Sequence, residues 1–211
     1  MKYEFTGETK LYFGITLKRI RATAAIEKFD VAAGDLGGWI EDEKNLDQYG
    51  DAWVSGDAWV FGNARVCGDA WVYGDAQVYD NAQVFGNARV CGSARVYGNA
   101  QVCGDARVCG DARVYGDVWG KSPLYIQGTK YAFYMAAANK VGCGCQVFTF
   151  AGWHKFWRKI AAKFGMTEAE QAEYVSYFNL ACERYGKLEF KIDLTDGSGD
   201  EEPCPDAEDE E

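Results

Sequence analysis

Small and aliphatic positions recur with a six-residue period through the middle third of this chain. From residue 50 the hexads read GDAWVS, GDAWVF, GNARVC, GDAWVY, GDAQVY, DNAQVF, GNARVC, GSARVY, GNAQVC, GDARVC, GDARVY and a degenerate GDVWGK. Rewritten from the valine, the unit is V-x-G-[D/N]-A-x. The valine and, four positions on, the alanine are expected to point inward, and the residue after each to point outward. Gly with Asp or Asn makes the corner, because Gly tolerates positive φ and Asp and Asn enter the left-handed region more readily than most residues. Asp80 takes the place of a corner glycine, and Ser93 replaces the usual Asp or Asn. In the last hexad Val118 is expected at the alanine place and Gly120 at the valine place, ending the array.

A fixed short period is the signature of a solenoid. This one resembles the hexapeptide-repeat, left-handed parallel β-helix, from which the left-handed winding is taken. Three hexads make one triangular coil, and about four coils stack with strands about 4.8 Å apart. The predicted fold is mostly β: an N-terminal β cap over 1–49, the solenoid over 50–120, a small α+β module over 121–191 and an acidic tail over 192–211. In the cap, Ile20, Ala22, Ala24 and Ile26 alternate like a strand, and Trp39 is expected as a lid on the first coil. In the module, "SPLYIQG", "KYAFYMAA" and "KVGCGCQVFTF" read as three strands. "GWHKFWRKIAAKF" reads as a helix ending at Gly165. Thr167 and Glu170 form a capping box for a second helix that Gly186 stops.

Every third hexad shares a face, which sorts the outward residues into columns. One face carries Phe61, Tyr79, Tyr97 and Tyr115 beside Trp59, Gln77, Arg95 and Arg113. A four-aromatic ladder on a solvent face is a candidate partner-binding strip, with Arg95 and Arg113 alongside; an oligomer contact or cover from the chain's own segments is the plainer reading. A second face stacks Cys91 on Cys109, expected as reduced thiols. The module offers a basic helix surface of His154, Lys155, Arg158 and Lys159, which an ordinary amphipathic helix would also show. Cys143 and Cys145 alternate along one predicted strand, at a spacing shorter than the usual zinc pair.

Charge changes the picture only when mapped. The net charge of −10 comes from the tail, since residues 193–211 hold ten carboxylates and no Lys or Arg. Residues 121–191 are mildly basic, and the repeats carry eight Asp against five Arg, so nucleic acid is not the expected ligand. No signal peptide and no membrane-length apolar run is read, which predicts a cytoplasmic protein without membrane contact.

Acyltransferases on this prism need a His to deprotonate their acceptor, and hexapeptide carbonic anhydrases need three for zinc. The chain has one His, outside the repeats. The expectation is therefore a non-enzymatic protein with no catalytic residue, no metal and no cofactor, acting through a protein partner and forming a dimer or trimer.

"TLKRIRA" (16–22), "GDLGGWIEDEKNL" (34–46), the hexads, "SPLYIQGTK" (122–130) and "GCGCQVFTFAGW" (142–153) together resemble a group of phage- and prophage-associated hexapeptide-repeat proteins. The resemblance implies the architecture and a phage association; the His-free prism, the aromatic ladder and the separate terminal module give the expectation of a phage-encoded factor that binds and inhibits or sequesters a host defence component. An acyltransferase-like enzyme and an acidic nucleic-acid mimic are the alternatives.

Overall fold

The structure, a computed structural model, describes residues 1–194, and the chain divides into two compact units between Pro123 and Leu124. The acidic tail read at 192–211 lies outside the described residues from 195 onward.

In the first unit each hexad supplies one short strand, and the strands stack into three parallel sheets. One face is Trp53–Val54, Trp71–Val72, Arg89–Val90 and Arg107–Val108. The next is Arg65–Val66, Gln83–Val84, Gln101–Val102 and Val118–Trp119. The third holds Trp59–Val60, Gln77–Val78, Arg95–Tyr97 and Arg113–Tyr115. This is a parallel β-solenoid of about four turns. Each residue lies opposite its equivalent one coil on, as Arg89 does between Trp71 and Arg107. Every inward Ala and Val from Ala52 to Val114 is fully buried. The interior is thus a column of methyl groups, and its burial supplies the main stabilisation.

The corners need left-handed backbone. Gly50 has φ +69°, and a Cβ there would stand 2.6 Å from the Gly68 carbonyl oxygen of the next coil. Asp80 adopts φ 58° in the same role and accepts a hydrogen bond from the Gly98 amide at 3.1 Å.

Amides of one coil donate to carbonyls of the next, as Trp53 N does to Ala70 O at 2.9 Å. That direction would leave the carbonyls of the opening coil without donors, and the N-terminal segment supplies them. On one face Trp39 N donates to Ala58 O (2.9 Å) and Glu41 N to Val60 O (3.1 Å). On another, Asn45 Nδ2 donates to Ala64 O (2.8 Å) and Gly62 O (3.2 Å). On the last, the Lys2 ammonium donates to Ala52 O (2.7 Å) and Gly50 O (3.2 Å). The cap is thus a substitute coil built of side chains and one strand.

That segment begins with a long antiparallel hairpin, Tyr3–Tyr12 and Ile15–Ala22. Its second strand pairs antiparallel with Leu36–Ile40, which runs parallel to Trp59–Val60. The hairpin therefore extends one solenoid face into a seven-stranded sheet. Three expectations are corrected here. The alternation read through Ile26 ends at Ala22, and Ala24 is exposed, because the chain turns there. Trp39 is buried, but on the outward side of its sheet beneath the hairpin. Trp53 is the fully buried tryptophan, and it abuts Gly37 at the opening coil. At the far end the register slips by one residue: Val118 pairs with Gln101 and Trp119 with Val102. Trp119, not Gly120, takes the valine place and is buried, while Val118 is exposed. The larger indole closes the column, and its Nε1 has no hydrogen-bond partner among the described residues.

The second unit is a four-stranded antiparallel meander, Tyr125–Gln127, Ala132–Ala137, Lys140–Cys143 and Gln146–Thr149, packed against helices α1 (Phe150–Lys163) and α2 (Glu168–Arg184). The third predicted strand is two strands. Gly144, at φ 58°, turns the chain between them, so Cys143 and Cys145 do not share a strand face. The capping box forms as read: Thr167 N donates to Glu170 Oε2 at 2.7 Å, and Glu170 N donates to Thr167 Oγ1 at 3.3 Å.

Candidate binding face

The aromatic column forms as a continuous stack. Phe61 and Tyr79 lie with ring centroids 5.1 Å apart and planes 6° from parallel. Tyr79 and Tyr97 follow at 5.2 Å and 6°, and Tyr97 and Tyr115 at 5.4 Å and 31°. In-register stacking forces this, because identical positions one coil apart sit at the strand spacing. Burial raises the hydroxyl pKa of Tyr79 and Tyr97 above the ordinary tyrosine value, so both are neutral donors at physiological pH. The neighbouring column carries Arg95, exposed, and Arg113, half-buried and paired in register with it.

Phe61 departs from its expected role as a partner contact. It is 8% exposed and belongs to an apolar cluster with Leu17 and Trp39, on which Tyr12, Ile15, Trp59 and Tyr79 pack. Tyr12 of the hairpin meets Trp59 edge-on at 4.9 Å and Phe61 at 5.9 Å. The hairpin thus covers the first rung, and Tyr79, Tyr97 and Tyr115 remain half-buried. This contact escapes a period-six reading, because it comes from outside the repeats. The signal for it is Phe13-Gly14 between two alternating runs, a two-residue hairpin turn.

The corners also form columns. Asn63, Asn81 and Asn99 hydrogen-bond edge to edge at 3.2 Å per step. N-terminal lysines meet each corner column at its first coils: Lys44 on Asn63 (3.3 Å), Lys28 on Asp69 (2.9 Å) and Lys10 on Asp57 (3.3 Å). The Trp39 indole, then Lys10, hold the Asp57 carboxyl below its usual pKa.

The cysteines divide by environment. Cys91 and Cys109 stack with their sulfurs 2.6 Å apart, and all seven cysteines among the described residues are free thiols. Burial, and then the neighbouring Cys91, push the Cys109 thiol up to about 12. Burial also pushes Cys143 up to about 12, whereas Cys145 is exposed.

The predicted basic helix surface is on α1, and the chain's own C-terminal segment engages part of it. The His154 ring donates from Nδ1 to the Phe190 carbonyl at 2.9 Å, and Arg158 donates to the Leu194 carbonyl at 3.4 Å. Lys155 and Arg158 lie over the adjacent Phe156 and Trp157 rings at 5.1 and 5.3 Å. Lys159 is half-buried beside them. Behind this surface the cavity bounded by Phe133, Trp153, Trp157, Tyr174 and Phe178 measures about 20 Å³, room for roughly one water. Among the described residues no helix is long and apolar enough to cross a membrane.

Four stretches in two overlapping pairs, residues 76–92 with 82–98 and 100–116 with 106–119, match the family described as YdcK Beta solenoid repeat. The chain is similar to that β-solenoid repeat family. The matched stretches contain Tyr79, Tyr97 and Tyr115 with Arg95 and Arg113, so the ladder lies within the portion that matches. Comparison with curated proteins finds no match.

Proposed function

We propose that this protein acts by binding rather than by catalysis, as a scaffold whose outward aromatic column docks a protein partner. The observation that carries the reading is the stack of Tyr79, Tyr97 and Tyr115, half-buried on a rigid face and flanked by Arg95 and Arg113. Aromatic and Arg side chains are the types in which interface energy concentrates. The methyl-filled interior fixes their positions, so little entropy is lost on docking. The motifs outside the repeats favour a phage-encoded factor working in the host cytoplasm and occupying a host component. A photo-crosslinking amino acid placed at Tyr97, and separately at Arg65 on another face, tests the reading. Protein adducts at Tyr97 and none at Arg65 support it; adducts at neither position, or equally at both, overturn it.

A further inference from the structure

Cys91 and Cys109 hold the same position on consecutive turns of the solenoid. Each follows a valine, and those valines pair in register, Val90 against Val108. The Cys91 amide donates to the Val108 carbonyl at 2.9 Å, so the backbone fixes where the two side chains leave the wall. Adjacent strands lie about 4.8 Å apart, inside the Cα range that a disulfide spans. The side chains use that reach. Their sulfurs stand 2.6 Å apart, and a disulfide needs about 2.05 Å, so closing the bond moves them by about half an ångström. Both residues are half-buried, open enough for a small oxidant.

The other repeat thiols mark the contrast. Cys67 and Cys103 share a column on another face, but Phe85 stands on the turn between them. Two strand spacings, about 9.6 Å, exceed the separation a disulfide can bridge.

We propose that Cys91 and Cys109 are a modification site, at which a peroxide joins two consecutive coils through a disulfide. Burial keeps the Cys109 thiol protonated, which leaves the Cys91 thiolate as the nucleophile. That thiolate attacks one peroxide oxygen. The O–O bond breaks, and the departing hydroxide takes up the proton that Cys91 gave to solvent, forming water. Cys91 is then a sulfenic acid. The Cys109 sulfur attacks the Cys91 sulfur, the S–O bond breaks, and the hydroxyl leaves with the Cys109 proton as a second water. Each sulfur loses one electron, and the peroxide gains both. Two small thiols reverse the step by exchange, leaving as their own disulfide. The bond closes residues 91–109 into a ring that is one full turn of the solenoid, with Arg95 and Tyr97 on it. It forms whatever the aromatic face binds.

Trypsin isolates the two cysteines, because cleavage after Arg89, Arg95, Arg107 and Arg113 leaves them on VCGSAR (90–95) and VCGDAR (108–113). The full chain is treated with hydrogen peroxide, folded and in urea, then blocked by alkylation, digested and read by mass spectrometry. Folded wild type should yield VCGSAR joined to VCGDAR, lighter by two hydrogens than the free pair. The link should form at least about tenfold faster than in urea, since the fold holds the sulfurs together. It should disappear on treatment with a small thiol. Cys109→Ser should stop at the Cys91 sulfenic acid, trapped by a dione probe, with the folded circular dichroism spectrum kept. A link that forms no faster folded than in urea overturns the proposal. So does folded wild type in which the two cysteines stay unlinked, or in which Cys67 and Cys103 join as fast.

Discussion

The Lys2 ammonium donates to the Ala52 carbonyl oxygen at 2.7 Å, fifty residues away in sequence. This one side chain stands in for the amides of a coil that does not exist. Removing it strands the Ala52 and Gly50 carbonyls at a largely buried edge. Lys2→Met keeps the aliphatic stem and should cost about 1–3 kcal/mol, read as a lower melting temperature with the folded circular dichroism spectrum retained.

The same residue gives a pH dependence. Burial lowers the Lys2 pKa to about 8 from 10.5, outweighing the nearby aspartates that raise it. Between those two values the unfolded chain binds more protons than the folded one. The contribution of Lys2 to stability therefore increases as pH rises from about 8 to 10.5, and is lost as pH falls through about 8. In denaturant titrations the advantage of wild type over Lys2→Met should be smallest at pH 7 and grow as pH rises from about 8 toward 10.5. A difference independent of pH would show that the ammonium is not desolvated.

The cysteines have the opposite sign. Folded-state thiols of Cys109 and Cys143 at about 12 and Cys182 at about 11 remain protonated where unfolded thiols ionise. Their contribution is complete below about pH 9 and is lost as pH rises toward the folded values. Thiolates are the reactive species. In native protein near pH 8, exposed Cys145 should therefore be alkylated well before Cys109, Cys143 or Cys182, as site-resolved mass spectrometry would show. Equal rates across the four would contradict the burial assignments.

The repeat register can be tested from the inner and outer sides of the solenoid wall. Val84 is fully buried in a methyl column, so Val84→Asp should cost several kcal/mol and prevent folding or nearly so. Arg89 points outward, with its guanidinium 5.8 Å from the Trp71 ring. Arg89→Ala should cost no more than about 1 kcal/mol. Thermal melts of the two variants check the pair, and comparable losses would disprove the alternation.

Asp80 isolates the corner chemistry. It combines a left-handed backbone with a side-chain bond to Gly98 N. Asp80→Gly should be close to neutral, trading that bond for relief at φ 58°, whereas Asp80→Val should destabilise by about 2 kcal/mol or more. Chemical denaturation midpoints decide the order.

These tests follow the line between what the sequence made legible and what it did not. The inward Ala and Val columns, the corners and the outward aromatic stack were readable from period six, because an in-register solenoid repeats its environment every eighteen residues. The ends were not, because there the repeat stops and single residues replace it. Lys2 and Asn45 look like ordinary surface residues until unpaired carbonyls need donors. The slip at Trp119 breaks the period within the last hexad. Phe61 is indistinguishable from Tyr79 in the pattern, and only the hairpin folding back over it sets the two apart. In the second unit the capping box at Thr167 was legible from local chemistry, whereas the turn at Gly144 was hidden in a continuous strand-like run.

The central claim is that the inward columns hold the fold while the outward aromatic column binds a protein. Tyr79→Ser combined with Tyr97→Ser leaves every inward residue in place and removes the middle of the stack. One preparation of this variant should be measured for its folded spectrum and, by chemical crosslinking against wild type, for its capture of protein at this face. The account predicts a folded chain with little loss beyond the ring contacts themselves, about 0.5–1.5 kcal/mol for each aromatic pair, and crosslinks reduced at least about tenfold. A folded double variant that crosslinks as wild type does would contradict it.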